Sequence, residues 1–591
     1  MSIEATLEAA PAHSRRWWST PLAWLSHREA DLKFAPPVWL AGLSVLTVLG
    51  AYVFVAWTTE GPIFSPDEVG MVGAAQVIAN GTTGWTLAGS GYMPGLAVLL
   101  APAWWFTDNS FLVYHIGLAI GVALSVATVW PLSLIARRVG IASRPGAVVI
   151  ASVVMLFPAR TLPANYLLAE SLLTLLTATT FVVAYALDRQ ATARNSALLG
   201  ALAGLAFLSH GRAVALLVAA GIWMLIVAGK RWRLTLAFLA SSGLVSLGSW
   251  ALYTYMTSQL YWRDERLKNT FDRFLSDTPA DFLGSLAGSA WYAMAAWPAL
   301  AVVGAFFVIK RGRRLNSPEL LLGLALVTSV ALSFVQLTPG YNWTVPRLDL
   351  WIYGRYIDHL LTVLAVIGLA VLVRVRLRAL PVAVLGASAA VGAAFMLFAV
   401  PRLPVGGLWV DAHVAGISHY LSEANYLDGQ PEPWALLTLA SVAIGTLLAV
   451  LGWMRFVLPV VAILALTLTV VTDATRVDPR NDRTRISEEI NDPHAVVPQD
   501  EAIAFSIDYG LRINFFAFAA NPRRLVPVTL EEASEEYSAF YTGYQDETPA
   551  EYGAKKLASP FIYYYTSLWI FPGPLFDELD AQGLLLEPSD E

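Results

Sequence analysis

The sequence predicts an α-helical polytopic membrane protein of about thirteen spans that ends in a small water-soluble α/β domain. Three observations carry this. Of the 591 residues 56% are hydrophobic and only 14% charged, whereas a soluble chain carries roughly a quarter charged residues. Apolar runs of membrane length recur up to Val471, and the Lys and Arg between them gather at alternate ends, as the positive-inside rule requires. From Asp473 onward the composition turns to that of a soluble domain, roughly 120 residues long and within the usual size range.

In chain order, residues 1–36 read as a cytoplasmic arm on the inner leaflet, polar and Trp-spotted, with Arg15-Arg16-Trp17-Trp18 and no cleavable signal pattern. The first span, Pro37 to Trp57, exits and delivers a loop over 58–110 to the outside. Returning and exiting spans follow at Phe111–Ala136, Pro145–Leu156, Tyr166–Leu187, Ala197–Leu208 and Ala213–Ala228, with Arg137-Arg138, Arg189, Arg194 and Lys230 to Arg233 at their inner ends. Leu234–Tyr255 leads to a polar loop, Ser258 to Gly284, whose mixed charges from Arg263 to Arg273 read as a solvated face or a lid. Further spans are Ala287–Ile309, Pro318–Gln336, Tyr356–Val373, Pro381–Val400, Pro433–Gly452 and Phe456–Val471. In the terminal domain, 473–591, strands are expected at Ala502–Ile507 and Phe561–Tyr565, an aromatic run at Phe515–Phe518 and a helix at Leu530–Tyr541. Its tyrosines (Tyr537, Tyr541, Tyr544, Tyr563, Tyr564, Tyr565) read as an aromatic core, with stacking on sugar faces as the other reading.

Composition excludes several functions. With no cysteine there is no thiolate catalysis, disulfide or Cys-ligated metal. A net charge of -6, with basic residues in short clusters, does not suit nucleic acid. A transporter or flippase of a lipid-linked saccharide is the rival class. It calls for an internal repeat and paired Gly/Pro-broken helices with ionisable groups near the midplane, and the sequence shows neither. A structural scaffold, the third class, needs no converging Asp, Glu, Arg and His.

The loop after the first span holds the chemistry. Pro66 precedes Asp67-Glu68, an acidic start to a short amphipathic helix carrying Val69, Val72, Ala75, Gln76 and Ala79. An apolar, Trp-rich piece follows, Met93 to Phe106. Glu170, in Asn165-Tyr-Leu-Leu-Ala-Glu170-Ser171, stands near the outer end of an apolar segment, where an ionisable group is costly unless used or paired. Ser209-His210-Gly211-Arg212 forms an outer turn. Trp351-Ile-Tyr353-Gly-Arg355-Tyr356-Ile-Asp358-His359 opens a late span, with His359 one helical turn beyond Arg355. Asp411, His413, His419 and Glu423 have spacing that suits either a weak metal site or a hydrated loop helix.

The acidic first loop, together with Tyr92-Met93-Pro94-Gly95 through Leu99-Leu100 to Pro102, resembles the GT-C glycosyltransferases, which take a sugar from a polyprenyl-phosphate carrier. Protein O-mannosyltransferases and lipid A aminoarabinose transferases are members. The resemblance implies a GT-C-like catalytic domain over 37–472, with an acceptor hydroxyl deprotonated by Asp67, supported by Glu68, and Glu170 in the active site. Through the Arg-Tyr step and the Ser-His-Gly-Arg turn it implies a donor phosphate held by Arg355, Tyr356, His359, Arg212 and His210. A phosphate leaving group needs no carboxylic acid partner, so one base and fixed positive charge suffice. No nucleotide-binding Gly-rich turn appears, so the implied donor is a polyprenyl-phosphate monosaccharide, arabinofuranose or mannose in a high-GC actinobacterium. The acceptor is an extracytoplasmic glycan, glycolipid or secreted protein. A divalent cation, Mg or Ca, is compatible with the residues and not required by them.

Overall fold

The computed structural model describes residues 34–62, 65–89, 91–264, 274–341, 346–405, 409–421, 431–479, 496–498, 500–508, 513–543, 545–558 and 566–586. Each of the thirteen expected apolar segments is helical. Nine of the described helices are long and apolar enough to cross a membrane, and eleven if each of two bent pairs counts as one span. The other two, Ala193–Ser209 and Asp358–Arg374, have 17 residues each. That is about 25 Å at 1.5 Å per residue, somewhat short of a bilayer core.

Helix boundaries follow local chemistry. Asn109 caps Ser110–Val139 by accepting from the Leu112 N–H, and Gly140 closes it in the left-handed region at φ 119. Ser143, Thr192 and Ser317 cap their helices likewise, and Thr278 with Asp281 forms a capping box. Arg137-Arg138 and Lys310-Arg311 sit in last turns, where the dipole favours cations.

Two helix pairs are broken; the first break falls where the expected segment ends at Leu156, and the second interrupts the segment expected to run unbroken from Ala287 to Ile309. Arg144–Met155 turns by 79° into Pro158–Asn165, and Pro279–Ala296 by 116° into Leu300–Gly312. Proline is the cause in both: Phe157 is extended before Pro158, and Pro298 supplies no N–H just after Trp297. The first break sets the short helix Pro158–Thr161 beneath the site described below.

Helix Asp358–Arg374 is buried on every side from Asp358 to Leu372, as expected of an all-round apolar helix at the centre of a bundle. Gly368 allows the approach of its neighbour Leu300–Gly312, since a Cβ there would overlap the Leu300 carbonyl. The loop after the apolar helix Trp232–Leu260 is shorter than expected. That helix runs on to Leu260, and the next begins at Pro279. Residues 265–273 of the expected charged face lie outside the described residues.

The C-terminal domain is α/β, with a mixed six-stranded sheet in the order β4-β3-β5-β7-β6-β8. Its strands are β3 (Ile503–Ser506), β4 (Leu525–Val528), β5 (Ala539–Gly543), β6 (Lys555–Leu557), β7 (Thr566–Ile570) and β8 (Leu585–Leu586). Parallel pairing joins β3 to β4 and β5, and the other pairings are antiparallel. The strand near 502–507 is found. The aromatic run is helical, Ile513–Ala520. The expected helix to Tyr541 stops at Glu536, because Ala539 to Gly543, a buried and aromatic run, pairs as β5 instead. Tyr541 lies in the core. Tyr544 and the expected strand 561–565 with its three tyrosines lie outside the described residues.

This domain grips the first loop. There, helix Ser65–Asn80 is followed by β1 (Leu87–Gly89), which pairs in parallel with β2 (Tyr261–Asp264). Asn514 donates to the Ala88 carbonyl at 3.0 Å and accepts from its N–H at 2.9 Å. Trp85 donates its indole N–H to Asn521 at 2.8 Å, and Phe518 packs edge-on against Trp85, Phe111 and Tyr114. Asn514→Ala leaves both Ala88 groups buried without these partners, at about 1–3 kcal/mol each. It is expected to lower the melting temperature and speed proteolytic cutting between Val471 and Ile503, read by differential scanning fluorimetry and timed digestion. Unchanged melting and digestion would refute this coupling.

Candidate active site

Residues far apart in sequence meet in one buried chain of ion pairs. Helix Ser65–Asn80 places Asp67 and Glu68 in its first turn. Asp67 is 4% exposed, and its Oδ2 accepts from Arg355 Nη1 at 2.8 Å while Oδ1 accepts from the Tyr92 hydroxyl. Arg355 also donates through Nε to Glu170 Oε1 at 2.5 Å. The same Glu170 oxygen accepts from Arg212 Nη2 at 2.9 Å. Asp67, Arg355, Glu170 and Arg212 thus form a continuous line of alternating sign, two carboxylates against two guanidiniums.

Local structure fixes each member. Glu170 opens helix Glu170–Arg189, and Arg212 lies in the tight turn Gly211–Ala213, whose N-cap His210 accepts from the Arg212 N–H at 3.3 Å. Arg355 stands just before helix Asp358–Arg374. Its N–H and that of Gly354 both donate to the His413 carbonyl, at 3.1 and 2.9 Å. Burial alone would lower the pKa of the Arg355 guanidinium, but Glu170 and Asp67 outweigh this and raise it well above its ordinary value.

The remaining expected residues divide. Glu68, fully buried, accepts at Oε1 from the Tyr114 hydroxyl at 2.7 Å and the Leu167 N–H at 2.8 Å, and so ties the first-loop helix to two other elements. Tyr356 lies under Arg212, 5.8 Å from guanidinium carbon to ring centre, and donates to Gln336. His359 is buried, and neither ring nitrogen has a hydrogen-bond partner among the described residues. Glu170, Arg212, Arg355 and His359 line one small cavity, and Asp67 adjoins it through Arg355.

His413 serves a different purpose from the metal ligation considered for it. Its Nδ1 meets Asp349 Oδ2 at 2.6 Å, Tyr353 tilts over its ring at 4.6 Å, and Arg347 pairs with the same Asp349 oxygen at 2.8 Å. Burial pushes the Asp349 carboxyl up, but His413 and Arg347 outweigh it and hold it at about 2. Burial lowers the His413 pKa, so a neutral ring donating Nδ1–H to Asp349 satisfies the pair. His419 faces Tyr420 at 3.9 Å. Glu423 lies outside the described residues. Among those residues no group of three or more His, Asp or Glu could hold a metal ion.

Sequence reasoning missed Arg160, Arg347, Asp349 and Tyr92 as site residues. Arg160 had a readable signal, a cation inside the apolar run Phe157-Pro-Ala-Arg160-Thr-Leu-Pro, where burial is costly. Asp349 had none, since its partner His413 is 64 positions away.

Removing one partner of a buried ion pair costs about 3–5 kcal/mol. Glu170→Gln, which uncouples two arginines, is therefore expected to lower the melting temperature more than Asp67→Asn, which uncouples one. Equal or reversed shifts in a thermal melt would contradict this order. For Asp349, a folded pKa below the ordinary 3.8 means its stabilisation is present above about pH 4 and lost as pH falls through about 2. Asp349→Asn should flatten the fall in stability over that window, and a parallel acid titration of both proteins checks it.

The sequence matches no protein-family model and no curated protein. Solved structures do match. The crystal structure of ArnT from Cupriavidus metallidurans in the apo state is similar at 14% identity and TM-score 0.51, covering 91% of this chain and 98% of that one. The same protein bound to undecaprenyl phosphate aligns at 13% identity and TM-score 0.52, covering 91% and 99%. At these identities the likeness establishes architecture. The protein is a multi-pass α-helical membrane protein of GT-C-like fold, with a small C-terminal sheet domain.

Proposed function

We propose that this protein is a membrane glycosyltransferase that moves a monosaccharide, arabinofuranose or mannose, from a polyprenyl-phosphate donor to an acceptor hydroxyl on an extracytoplasmic glycan, glycolipid or secreted protein. The observation that carries this reading is the convergence of Asp67, Glu170, Arg212 and Arg355 from four separate elements into one buried chain of ion pairs. A scaffold has no need of it, since buried ion pairs stabilise a fold little relative to apolar packing. Undecaprenyl phosphate, bound by the fold neighbour ArnT, belongs to the carrier class proposed here.

In this reading Asp67 accepts the acceptor's hydroxyl proton as its oxygen attacks the anomeric carbon, with inversion. The bond from that carbon to the phosphate oxygen breaks, and the phosphate leaves with the electron pair. Fixed guanidinium charge from Arg355 and Arg212 stabilises it in a site that costs no reorganisation. Glu170 holds both arginines in register, and Tyr92 and Glu68 orient the first-loop helix that bears the base. Arg355 is paired with Asp67 before donor arrives. An incoming phosphate competes for that guanidinium and detaches the carboxylate for its work as base.

The test is transfer from purified polyprenyl-phosphate arabinose or mannose to a synthetic glycan. Asp67→Asn is expected to reduce the rate by roughly 10²–10⁴-fold, the range for a lost general base, while still binding donor. An Asn variant that turns over at the parent rate removes Asp67 from this role.

A further inference from the structure

Asp349 and His413 stand outside the ion-pair chain, yet they lie close behind Arg355. Asp349 is fully buried, and its carboxylate gathers donors from two sides. From its own segment, Arg347 donates Nε to Oδ1 at 3.0 Å and Nη2 to Oδ2 at 2.8 Å. From the facing loop, Oδ2 accepts the Val410 N–H at 3.2 Å and meets His413 Nδ1 at 2.6 Å. The carboxylate thus holds both ends of the tight turn Asp411–His413, whose N-cap is Val410. The main chain of the same turn reaches Arg355, because the His413 carbonyl accepts from the N–H groups of Gly354 and Arg355.

Arg355 needs such a support, because it lies just outside the helix that follows it. Helix Asp358–Arg374 begins three positions later, and the N–H groups of Ile357 and Asp358 return to the Gly354 carbonyl. A charge on a long side chain is aimed only as well as its backbone is held. Two glycines let the loop close on this segment: a Cβ on Gly354 would overlap the Tyr292 ring, and one on Gly416 the Ala296 methyl. The Tyr292 hydroxyl then accepts the Gly416 N–H at 3.0 Å and donates to Asp358 Oδ2 at 2.8 Å. The contacts form a ring that runs from the Asp349 carboxylate through the side chain and carbonyl of His413 to Arg355. It closes along the chain from 355 back to 349.

We propose that Asp349 and His413 are positioning residues for sugar transfer: the carboxylate fixes the His413 side chain, the His413 carbonyl fixes the backbone of Arg355, and the guanidinium is thereby aimed. The proposal rests on the transfer reading for what Arg355 does, and on the contacts alone for how it is placed. In this role neither residue touches donor or acceptor. Their effect falls on the chemical step, since an aimed charge counts most where charge develops. The competing account is a buried polar cluster that serves stability alone.

The experiment uses the full-length protein in nanodiscs. Parent, Asp349→Asn, His413→Leu, His413→Asn and the distant control Arg314→Gln are compared in transfer from polyprenyl-phosphate arabinose or mannose. The same proteins are compared in amide hydrogen exchange over 350–357, read by mass spectrometry. Arg314 pairs with Asp188 on an exposed face. Leu removes the ring donor, whereas the side-chain N–H of Asn stands where Nδ1–H does. Asp349→Asn and His413→Leu are expected to lower kcat by about 10- to 100-fold, as for a displaced catalytic group. Donor KM should change by less than about threefold, and exchange at Gly354 and Arg355 should quicken by about tenfold. His413→Asn should recover most of both losses, and the control should match the parent. Should Asp349→Asn fail to assemble, the two His413 variants decide. Parent-level kcat in His413→Leu, or equal losses in the Leu and Asn variants, overturns the proposal and leaves the transfer reading standing. Unchanged exchange over 350–357 also overturns it. A parent that transfers neither sugar, with exchange quickened in His413→Leu, sustains the placing of Arg355 and removes the transfer reading.

Discussion

Arg355 bridging Asp67 and Glu170 is the contact on which the rest of this site depends. One guanidinium joins the first-loop helix, the helix beginning at Glu170 and the segment leading into the central helix, across 288 positions of sequence. Its backbone N–H is held by the carbonyl of His413, so a further loop is recruited to aim it. If Arg355 moved, Asp67 would keep only Tyr92 of its named partners, and Glu170 only Arg212. The chain of alternating charge is therefore a means of registering separate elements to within hydrogen-bonding distance, at a cost in desolvation that packing elsewhere must offset.

The cost is met by the way the bundle is built. Helix Asp358–Arg374 is buried on all sides, and small residues such as Gly368 bring backbones together around it. Into this rigid frame two proline-broken pairs introduce irregular backbone. The break at Phe157-Pro158 carries Arg160 to the cavity, so an interruption that weakens a helix is also what delivers a charge into the interior. Broken helices alone do not separate transferase from transporter. The nature of the groups gathered at the break does more, because an alternating row of carboxylate and guanidinium suits proton removal beside a developing phosphate charge.

Much of this was legible in the sequence. Apolar length and basic ends located the thirteen long apolar helical segments, because burial of membrane-length helices is written residue by residue. Asp67, Glu170, Arg212 and Arg355 could each be singled out, since a charge in or beside an apolar run is conspicuous. Their pairing with one another is a tertiary fact. The same limit hid Asp349, whose importance comes from His413 in another loop, and the helix break at Pro298, which sits in an otherwise unbroken apolar run. In the C-terminal domain, Leu530 to Tyr541 has helical composition throughout its first half, and sheet pairing overrides it from Ala539 onward.

Charge balance constrains how such a site can work. Asp67 and Glu170 neutralise Arg355 and Arg212, and Asp358 stands beside Arg160, so the cluster holds as many acidic as basic groups. Adding a phosphate anion to a neutral, buried cluster is unfavourable unless a negative charge is withdrawn or neutralised in the same event. In the proposed reaction phosphate takes the place of Asp67 on Arg355, and proton transfer from acceptor to Asp67 then offsets the second negative charge that the departing phosphate gains. The carboxylate that becomes the base is the one displaced, and its protonation leaves the total charge of the site unchanged by the reaction. Asp67 and Arg212 stand at the two ends of one continuous line of ion pairs, so a change of charge at either end is felt through Arg355 and Glu170 at the other.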